Sequence, residues 1–94
     1  MAGADEDDPV VLEIEDSIDL HGFEPRDIPS VVVSYLEAAR EKGLHEVRLI
    51  HGKGKGVQRA RVRQVLDGLS WVIEYRNAPE TRGGFGATLV WLEP

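Results

Sequence analysis

The sequence lacks cysteine, and no apolar run approaches the about 18 residues that a membrane-spanning helix needs. Without cysteine the chain has no disulfide framework, no thiolate zinc site and no cysteine nucleophile. The first eight residues are acidic, whereas a secretory signal peptide begins with basic residues. We therefore expect a cytoplasmic protein with no membrane partner.

Basic residues are scarce at the amino end and concentrated in the middle of the chain. The formal net charge is −6, but seven of the 17 acidic residues lie in residues 1–16, which contain no base. Residues 17–94 contain the other 10 acids and all 11 bases, so this part of the chain carries a charge of +1. Residues 51–63 contain five bases and no acid, which predicts positive potential over one short segment.

The length of 94 residues is enough for one domain with a modest core. Residues 1–8 are acidic and almost without apolar side chains, which predicts a disordered arm. Residues 9–16 place Val10, Leu12 and Ile14 on alternate positions, which indicates an additional edge strand. Residues 17–94 then form the compact domain.

Strand and helix patterns alternate through this domain. A helix beginning at Ile28 has its apolar residues on one face, and Gly43 is placed to end it in the left-handed conformation. Strands are predicted at 17–20, 46–50, 71–75 and 87–92, and a second helix at 57–67.

This order predicts an α/β protein, namely a two-layer βαβαββ sandwich with a four-stranded mixed sheet. The first three strands are expected to be parallel with right-handed crossovers, which places both helices on one face of the sheet. The loop before the last strand is too short for another crossover helix. We therefore expect the last strand to be antiparallel and to begin at the edge where the other three end.

Residues 51–56, His-Gly-Lys-Gly-Lys-Gly, lie between a predicted strand and a predicted helix. Glycine lets the backbone approach a ligand closely, and the N–H groups at a helix start favour anions. Two lysines between the glycines strengthen the prediction of a phosphate site, although an ordinary flexible surface loop is the alternative. Neither the P-loop spacing nor the dinucleotide-binding spacing of glycines is present, so we expect no nucleotide cofactor.

Three segments containing glycine are expected to meet at one edge of the sheet, because each adjoins the same end of its strand. They are residues 19–22, 51–56 and 83–88. The carboxyl edge of parallel strands is where α/β proteins commonly bind ligands.

These segments carry a family resemblance. Residues 18–22 (IDLHG), 50–56 (IHGKGKG) and 83–88 (GGFGAT) resemble, in order and spacing, the three signature segments of the Smr (small MutS-related) domain. The resemblance covers residues 17–94 and implies a fold similar to the C-terminal domain of bacterial translation initiation factor three. It also implies nucleic-acid binding, often with endonuclease or nicking activity on DNA or RNA.

The candidate catalytic residues are Asp19, His21, His51 and Lys53. Two histidines at neighbouring strand ends can divide general-base and general-acid work, with Lys53 stabilising a phosphorane and Asp19 orienting His21. RNA can then be cut by its own 2′-hydroxyl without a cofactor. In one alternative, Asp19, His21 and His51 hold a divalent metal that activates water. In the other, the histidines only form hydrogen bonds to phosphate.

The predicted partner is nucleic acid, bound along the same three loops. A non-catalytic module that binds nucleic acid or the ribosome is the alternative to the nuclease. The expected contact residues belong to the two glycine-rich loops and the helix between them: Gly52, Gly54, Lys55, Gly56, Arg59, Arg63, Gly84, Phe85, Gly86 and Thr88.

Overall fold

The structure is a computed structural model and describes residues 14–94. The predicted arm at 1–8 and most of the predicted edge strand at 9–16 lie outside the described residues and stay predictions. No helix in the described part of the chain is long and apolar enough to cross a membrane.

The described residues form four strands and two helices, joined in places by single 3₁₀ turns. In chain order they are β1 (Ser17–Asp19), α1 (Ile28–Lys42), β2 (Glu46–Ile50), α2 (Val57–Asp67), β3 (Val72–Asn77) and β4 (Ala87–Leu92).

Within residues 14–94 the strands form one mixed sheet in the order β1-β2-β4-β3. β1 pairs in parallel with β2, and β4 lies antiparallel between β2 and β3. The first three strands therefore share one direction, and the last strand begins at the edge where they end. This arrangement confirms the predicted sandwich with its antiparallel last strand.

Both helices pack on the same face of the sheet. Residues from α1, α2 and alternate positions of β2 and β4 form one hydrophobic cluster, and each of them is almost fully buried. Its members include Ile28, Val32, Leu36, Ala39, Val47, Leu49, Val62, Leu66, Val90 and Leu92. The opposite face carries a smaller cluster of Ala78, Ala87 and Leu89. Since one core contains both helices, the predicted two-layer arrangement is confirmed.

α1 sets the position of the loops at the two edges of the sheet. Pro29 lies in its first turn, where a missing N–H costs nothing, and Gly43 ends the helix with φ of 90°. The Gly43 N–H donates to the carbonyl oxygen of Arg40 at 2.9 Å. The helix thus returns the chain from the carboxyl end of β1 to the amino end of β2, as the sequence predicts.

The observed β3 differs from the predicted strand at 71–75. A β-bulge lies between Val72 and Glu74, and pairing continues to Asn77, which faces Thr88 of β4. The bulge interrupts the alternation of side chains on which the prediction depends. The shift matters because it places Asn77 in the strand, on the same side of the sheet as the helices.

Candidate functional site

The loops after β1 and β2 and the loop before β4 meet at one edge of the sheet. Asp19 is in register with Ile50, and the Leu20 N–H donates to the carbonyl oxygen of Ile50 at 2.7 Å. The carbonyl oxygen of Gly86 accepts hydrogen bonds from the backbone N–H groups of His51 (3.0 Å) and Gly52 (2.9 Å). The three predicted segments are therefore neighbours.

The loop from His51 to Gly56, here called the Gly-Lys loop, surrounds a small recess of about 120 Å³. Gly52, Gly54 and Gly56 have φ values of 85°, 44° and 81°, which side chains other than glycine rarely adopt. Gly56 is the N-cap of α2, so the first N–H groups of the helix lie beside the recess. Backbone N–H groups beside a recess at a helix start are typical of loops that bind phosphate.

Both lysines of the Gly-Lys loop are exposed. The stem of Lys53 crosses Gly86, because a Cβ placed on Gly86 would lie 3.2 Å from Lys53 Cγ. A bare glycine at this point therefore lets the Lys53 side chain lie against the neighbouring loop.

Asp19 and His21 form an exposed pair at the end of β1. One carboxylate oxygen, Oδ1 of Asp19, accepts from the His21 backbone N–H at 3.0 Å and lies 2.6 Å from His21 Nδ1. Hydrogen bonds from the His21 side chain and backbone lower the pKa of Asp19, which keeps the carboxylate ionised. An ionised carboxylate only accepts, so Nδ1 carries a proton in this hydrogen bond. In the neutral imidazole Nε2 is then the nitrogen with the lone pair.

His21 is open to solvent at its other nitrogen. Its side chain is 76% exposed, and Nε2 has no hydrogen-bond partner among residues 14–94. A histidine held in one tautomer by a carboxylate, with Nε2 accessible, has the arrangement of a general base.

His51 has a different environment. It is only 3% exposed; Nδ1 lies 2.9 Å from the carbonyl oxygen of Gly52, and Nε2 lies 2.9 Å from the hydroxyl of Thr88. Because a carbonyl oxygen only accepts, Nδ1 carries the proton and Nε2 accepts from Thr88. Burial lowers the pKa of His51, and the nearby charges of Arg63 and Arg59 lower it further.

The sequence predicts two histidines that face one shared site, but in the structure only His21 is exposed and His51 is buried. The strands that precede His21 and His51 are neighbours, as expected. Of the two histidines, however, only His21 has a ring nitrogen without a hydrogen-bond partner among the described residues. His51 lies on the helix side of β2, following Val47 and Leu49 at alternate positions, and it connects the Gly-Lys loop to β4. A catalytic role for His51 stays a prediction without geometric support.

The alternative metal site also lacks its expected geometry. Among residues 14–94, no group of three or more histidine, aspartate or glutamate side chains lies close enough together to hold a metal ion. Asp19 and His21 are brought together, and His51 is directed into the core instead.

The loop before β4 divides the remaining predicted contact residues into two groups. Three of them are buried and therefore support the site without being exposed to a ligand: Gly84, Gly86 and Thr88. Phe85 is 44% exposed and packs over the start of α2. Of these four predicted contact residues, Phe85 is the one with an exposed side chain.

Arg59 and Arg63 lie one turn apart on α2, and Asn77, which is not among the predicted site residues, joins them. Asn77 Oδ1 accepts from Arg59 Nε (3.2 Å), Arg59 Nη2 (2.9 Å) and Arg63 Nη2 (2.7 Å). The guanidinium carbon of Arg59 is 4.4 Å from the centroid of the Phe85 ring. Placing the third strand at 71–75 concealed Asn77, since it then appeared to begin a loop.

We expect Gly83→Ala to lower the free energy of unfolding by about 1–3 kcal/mol, the usual cost of a strained backbone position. Gly83 has φ of 110°, and an added Cβ would lie 2.9 Å from the Cβ of buried Ala87. Urea unfolding measures the effect. Gly22→Ala is the matched control, because a Cβ there has nothing within 4 Å and φ is outside the left-handed region. Equal stability of the two variants would contradict the described loop geometry.

The fold and site together define a two-layer α/β domain with a glycine-rich loop that carries two lysines, at the carboxyl edge of its parallel strands. The family model of the Smr domain matches residues 18–93. The chain therefore belongs to the Smr domain family.

Relatives and solved structures agree with this assignment. The chain is 40% identical over 80 residues to Endonuclease MutS2 of Clostridium botulinum (strain ATCC 19397 / Type A), a match covering 85% of this chain and 10% of that protein. It thus spans about a tenth of the curated relatives. The Smr domain of Thermus thermophilus MutS2 has a TM-score of 0.80 at 38% identity, covering 85% of this chain and 100% of that one. YdaL, a stand-alone small MutS-related protein from Escherichia coli, has a TM-score of 0.79 at 29% identity, covering 84% and 65%.

Proposed function

We propose that this protein binds nucleic acid in the cytoplasm and cuts its phosphodiester backbone at the edge where the three loops meet. The observation that carries the proposal is the Asp19–His21 pair at the end of β1, directly beside the strand that leads into the Gly-Lys loop. Within residues 14–94 the exposed Nε2 of His21 has no hydrogen-bond partner. The name of the MutS2 relatives, endonuclease, supports the same activity class.

In the proposed reaction His21 is the catalytic residue, and the substrate is RNA. Nε2 of His21 takes the proton of a 2′-hydroxyl, and the 2′-oxygen forms a bond to the adjacent phosphorus. The bond from phosphorus to the 5′-oxygen breaks, and the departing oxygen takes a proton from water. The hydroxide that remains takes the proton from Nε2 of His21, which restores the free imidazole. The products are a 2′,3′-cyclic phosphate and a 5′-hydroxyl, so atoms and charges balance without an added cofactor.

The neighbouring groups serve binding and charge stabilisation. The Gly-Lys loop binds the phosphate, and Lys53 lies close to the developing charge of the phosphorane. Asp19 is a positioning residue that fixes the tautomer of His21. We propose that His51 is also a positioning residue, because both of its ring nitrogens form hydrogen bonds within the protein, to Gly52 and Thr88, and neither is left to contact a ligand.

The second candidate is a module that binds nucleic acid, or a ribosome surface, and cuts nothing. The burial of His51 favours it, because only one of the two expected imidazoles is accessible. Incubating the protein with end-labelled RNA and DNA of one sequence, with and without chelator, separates the candidates on a denaturing gel. Cleavage supports the nuclease, whereas tight binding with every substrate intact supports the module.

We expect Lys55→Gln to weaken nucleic-acid binding about equally for all sequences and to reduce the salt slope of log K by about one unit. The physical reason is the loss of one exposed phosphate contact. Fluorescence anisotropy at several salt concentrations measures it. Lys42→Gln is the matched control, since Lys42 ends α1 at the opposite edge of the sheet. An unchanged slope for Lys55→Gln would remove this residue from the interface.

A further inference from the structure

Asn77 holds two guanidinium groups together with one neutral oxygen. Three N–H groups from Arg59 and Arg63 converge on its Oδ1 at 2.7–3.2 Å. A carboxylate is the common partner for arginine, and it would cancel part of the charge. An amide aligns the two side chains and leaves both charges in place.

The two arginines have no ion-pair partner among residues 14–94. The three ion pairs in that range involve His21, Arg76 and Arg82. The charge of nearby Asp67 raises the pKa of Arg63, but Asp67 forms no ion pair with it. Its Oδ1 accepts instead from the Tyr75 hydroxyl at 2.7 Å. Burial lowers the pKa of Arg63, and the charge of Arg59 lowers it further. Two aligned like charges cost free energy that an anionic ligand offsets.

Aromatic rings lie beneath both guanidinium groups. Arg59 lies over Phe85 with its guanidinium carbon 4.4 Å from the ring centroid, and Arg63 lies over Tyr75 at 5.0 Å. Phe85 remains 44% exposed, and its ring edge is about 4.0 Å from the position a Cβ would take on Gly56, at the end of the Gly-Lys loop. Aromatic and guanidinium planes are the surfaces on which unpaired bases stack.

We propose that Phe85, Arg59, Asn77 and Arg63, together called the arginine strip, bind an unpaired nucleic-acid strand that continues from the Gly-Lys loop. Arg59 and Arg63 bind successive phosphates, a base stacks on Phe85, and Asn77 is the positioning residue. The two arginines are about 6 Å apart along the helix axis at 1.5 Å per residue. A paired base has its faces covered by its neighbours in the duplex, so the exposed ring favours a single strand.

This inference depends on the proposed function only in that the protein binds nucleic acid. The test uses the full chain carrying His21→Asn, so that no substrate is cut during the titration. Two labelled RNA hairpins are compared by fluorescence anisotropy, one blunt and one with a single-stranded extension. The hairpins share one stem, so the difference in their affinities reports the unpaired strand.

Phe85→Leu keeps an apolar side chain but removes the stacking surface. We expect it to weaken binding of the extended hairpin by roughly 5- to 150-fold, which is the range for loss of one stacked base. Binding of the blunt hairpin should stay within about twofold. Equal affinity of this variant and the parent for the extended hairpin would overturn the strip, as would equal weakening on both hairpins.

Two substitutions at Asn77 separate positioning from a merely structural role. Asn77→Ala should weaken binding of the extended hairpin by roughly 2- to 10-fold, the cost of ordering a side chain on binding. Asn77→Asp keeps an oxygen that can accept all three N–H groups, but its charge neutralises the arginines. We therefore expect it to bind more weakly than Asn77→Ala and to have a smaller salt slope.

A structural role for Asn77 predicts instead that Asn77→Asp binds like the parent, and this result would overturn the proposal. Thermal unfolding of each variant checks that the fold is retained. If Lys55→Gln weakens binding while the strip variants do not, the strip is wrong and the proposed nucleic-acid site stands. If strip variants behave as expected but the wild type cuts nothing, the strip stands and the proposed cleavage is wrong.

Discussion

Replacing His21 with asparagine is expected to lower the rate of RNA cleavage by about two to four orders of magnitude, the usual contribution of a positioned general base. Asparagine keeps a polar side chain beside Asp19 but has no nitrogen that can take a proton. The affinity for RNA should change much less, because phosphate binding depends on the Gly-Lys loop. Single-turnover cleavage and anisotropy on the same RNA measure the two quantities.

His45→Asn is the matched control for this experiment. His45 is also exposed, but it lies immediately before β2, at the edge of the sheet opposite the three loops. Its replacement should leave the cleavage rate unchanged. If both variants cut RNA at the wild-type rate, His21 does not transfer the proton and the proposed mechanism fails.

Replacing His51 with alanine is expected to lower the free energy of unfolding by roughly 2–4 kcal/mol. The variant loses the hydrogen bonds to Gly52 and Thr88 and leaves a small cavity where the buried ring was. This loss is large against the total stability of about 5–15 kcal/mol typical of a small domain. Urea unfolding at pH 7.5 measures it. Wild-type stability together with a lost cleavage rate would instead assign His51 a direct catalytic role.

The same histidine gives stability a predictable dependence on pH. Burial lowers the pKa of His51 from its ordinary value of 6.5, so the unfolded chain binds a proton there before the folded chain does. The free energy of unfolding should therefore be fully retained above pH 6.5 and fall as the pH drops below it. His51→Gln, which cannot titrate, should have a weaker dependence between pH 7 and 5.

The regular elements follow from local sequence patterns. The apolar stripe of α1 and the left-handed position of Gly43 both operate within a few residues, and both are found as predicted. The insertion of β4 between β2 and β3 has no local signal, because sequence order alone does not specify the neighbours of the last strand. Long-range pairing therefore sets the part of the topology that the pattern leaves open.

The sequence predicts where the candidate site lies more accurately than it predicts which of its side chains are exposed. The three loops meet as expected. The burial of His51, however, depends on a hydrogen bond to the Thr88 hydroxyl, and Thr88 is 37 residues away in the chain. An available signal was the alternation of Val47, Leu49 and His51, which places the histidine on the buried face of β2. Asn77 was missed because a bulge displaced the strand that carries it.

The most direct test of the proposed reaction uses an RNA that carries a single 2′-deoxy nucleotide at the cleavage site. The wild-type protein is incubated in chelator with this RNA and with the unmodified RNA. The mechanism predicts that the unmodified RNA is cut to a 2′,3′-cyclic phosphate and that the deoxy RNA stays intact. Two results together would contradict this mechanism and favour metal-activated water. They are loss of cleavage when chelator is present, and cleavage of the deoxy RNA when chelator is left out. Tight binding with no cleavage of either RNA would contradict it in favour of the binding module.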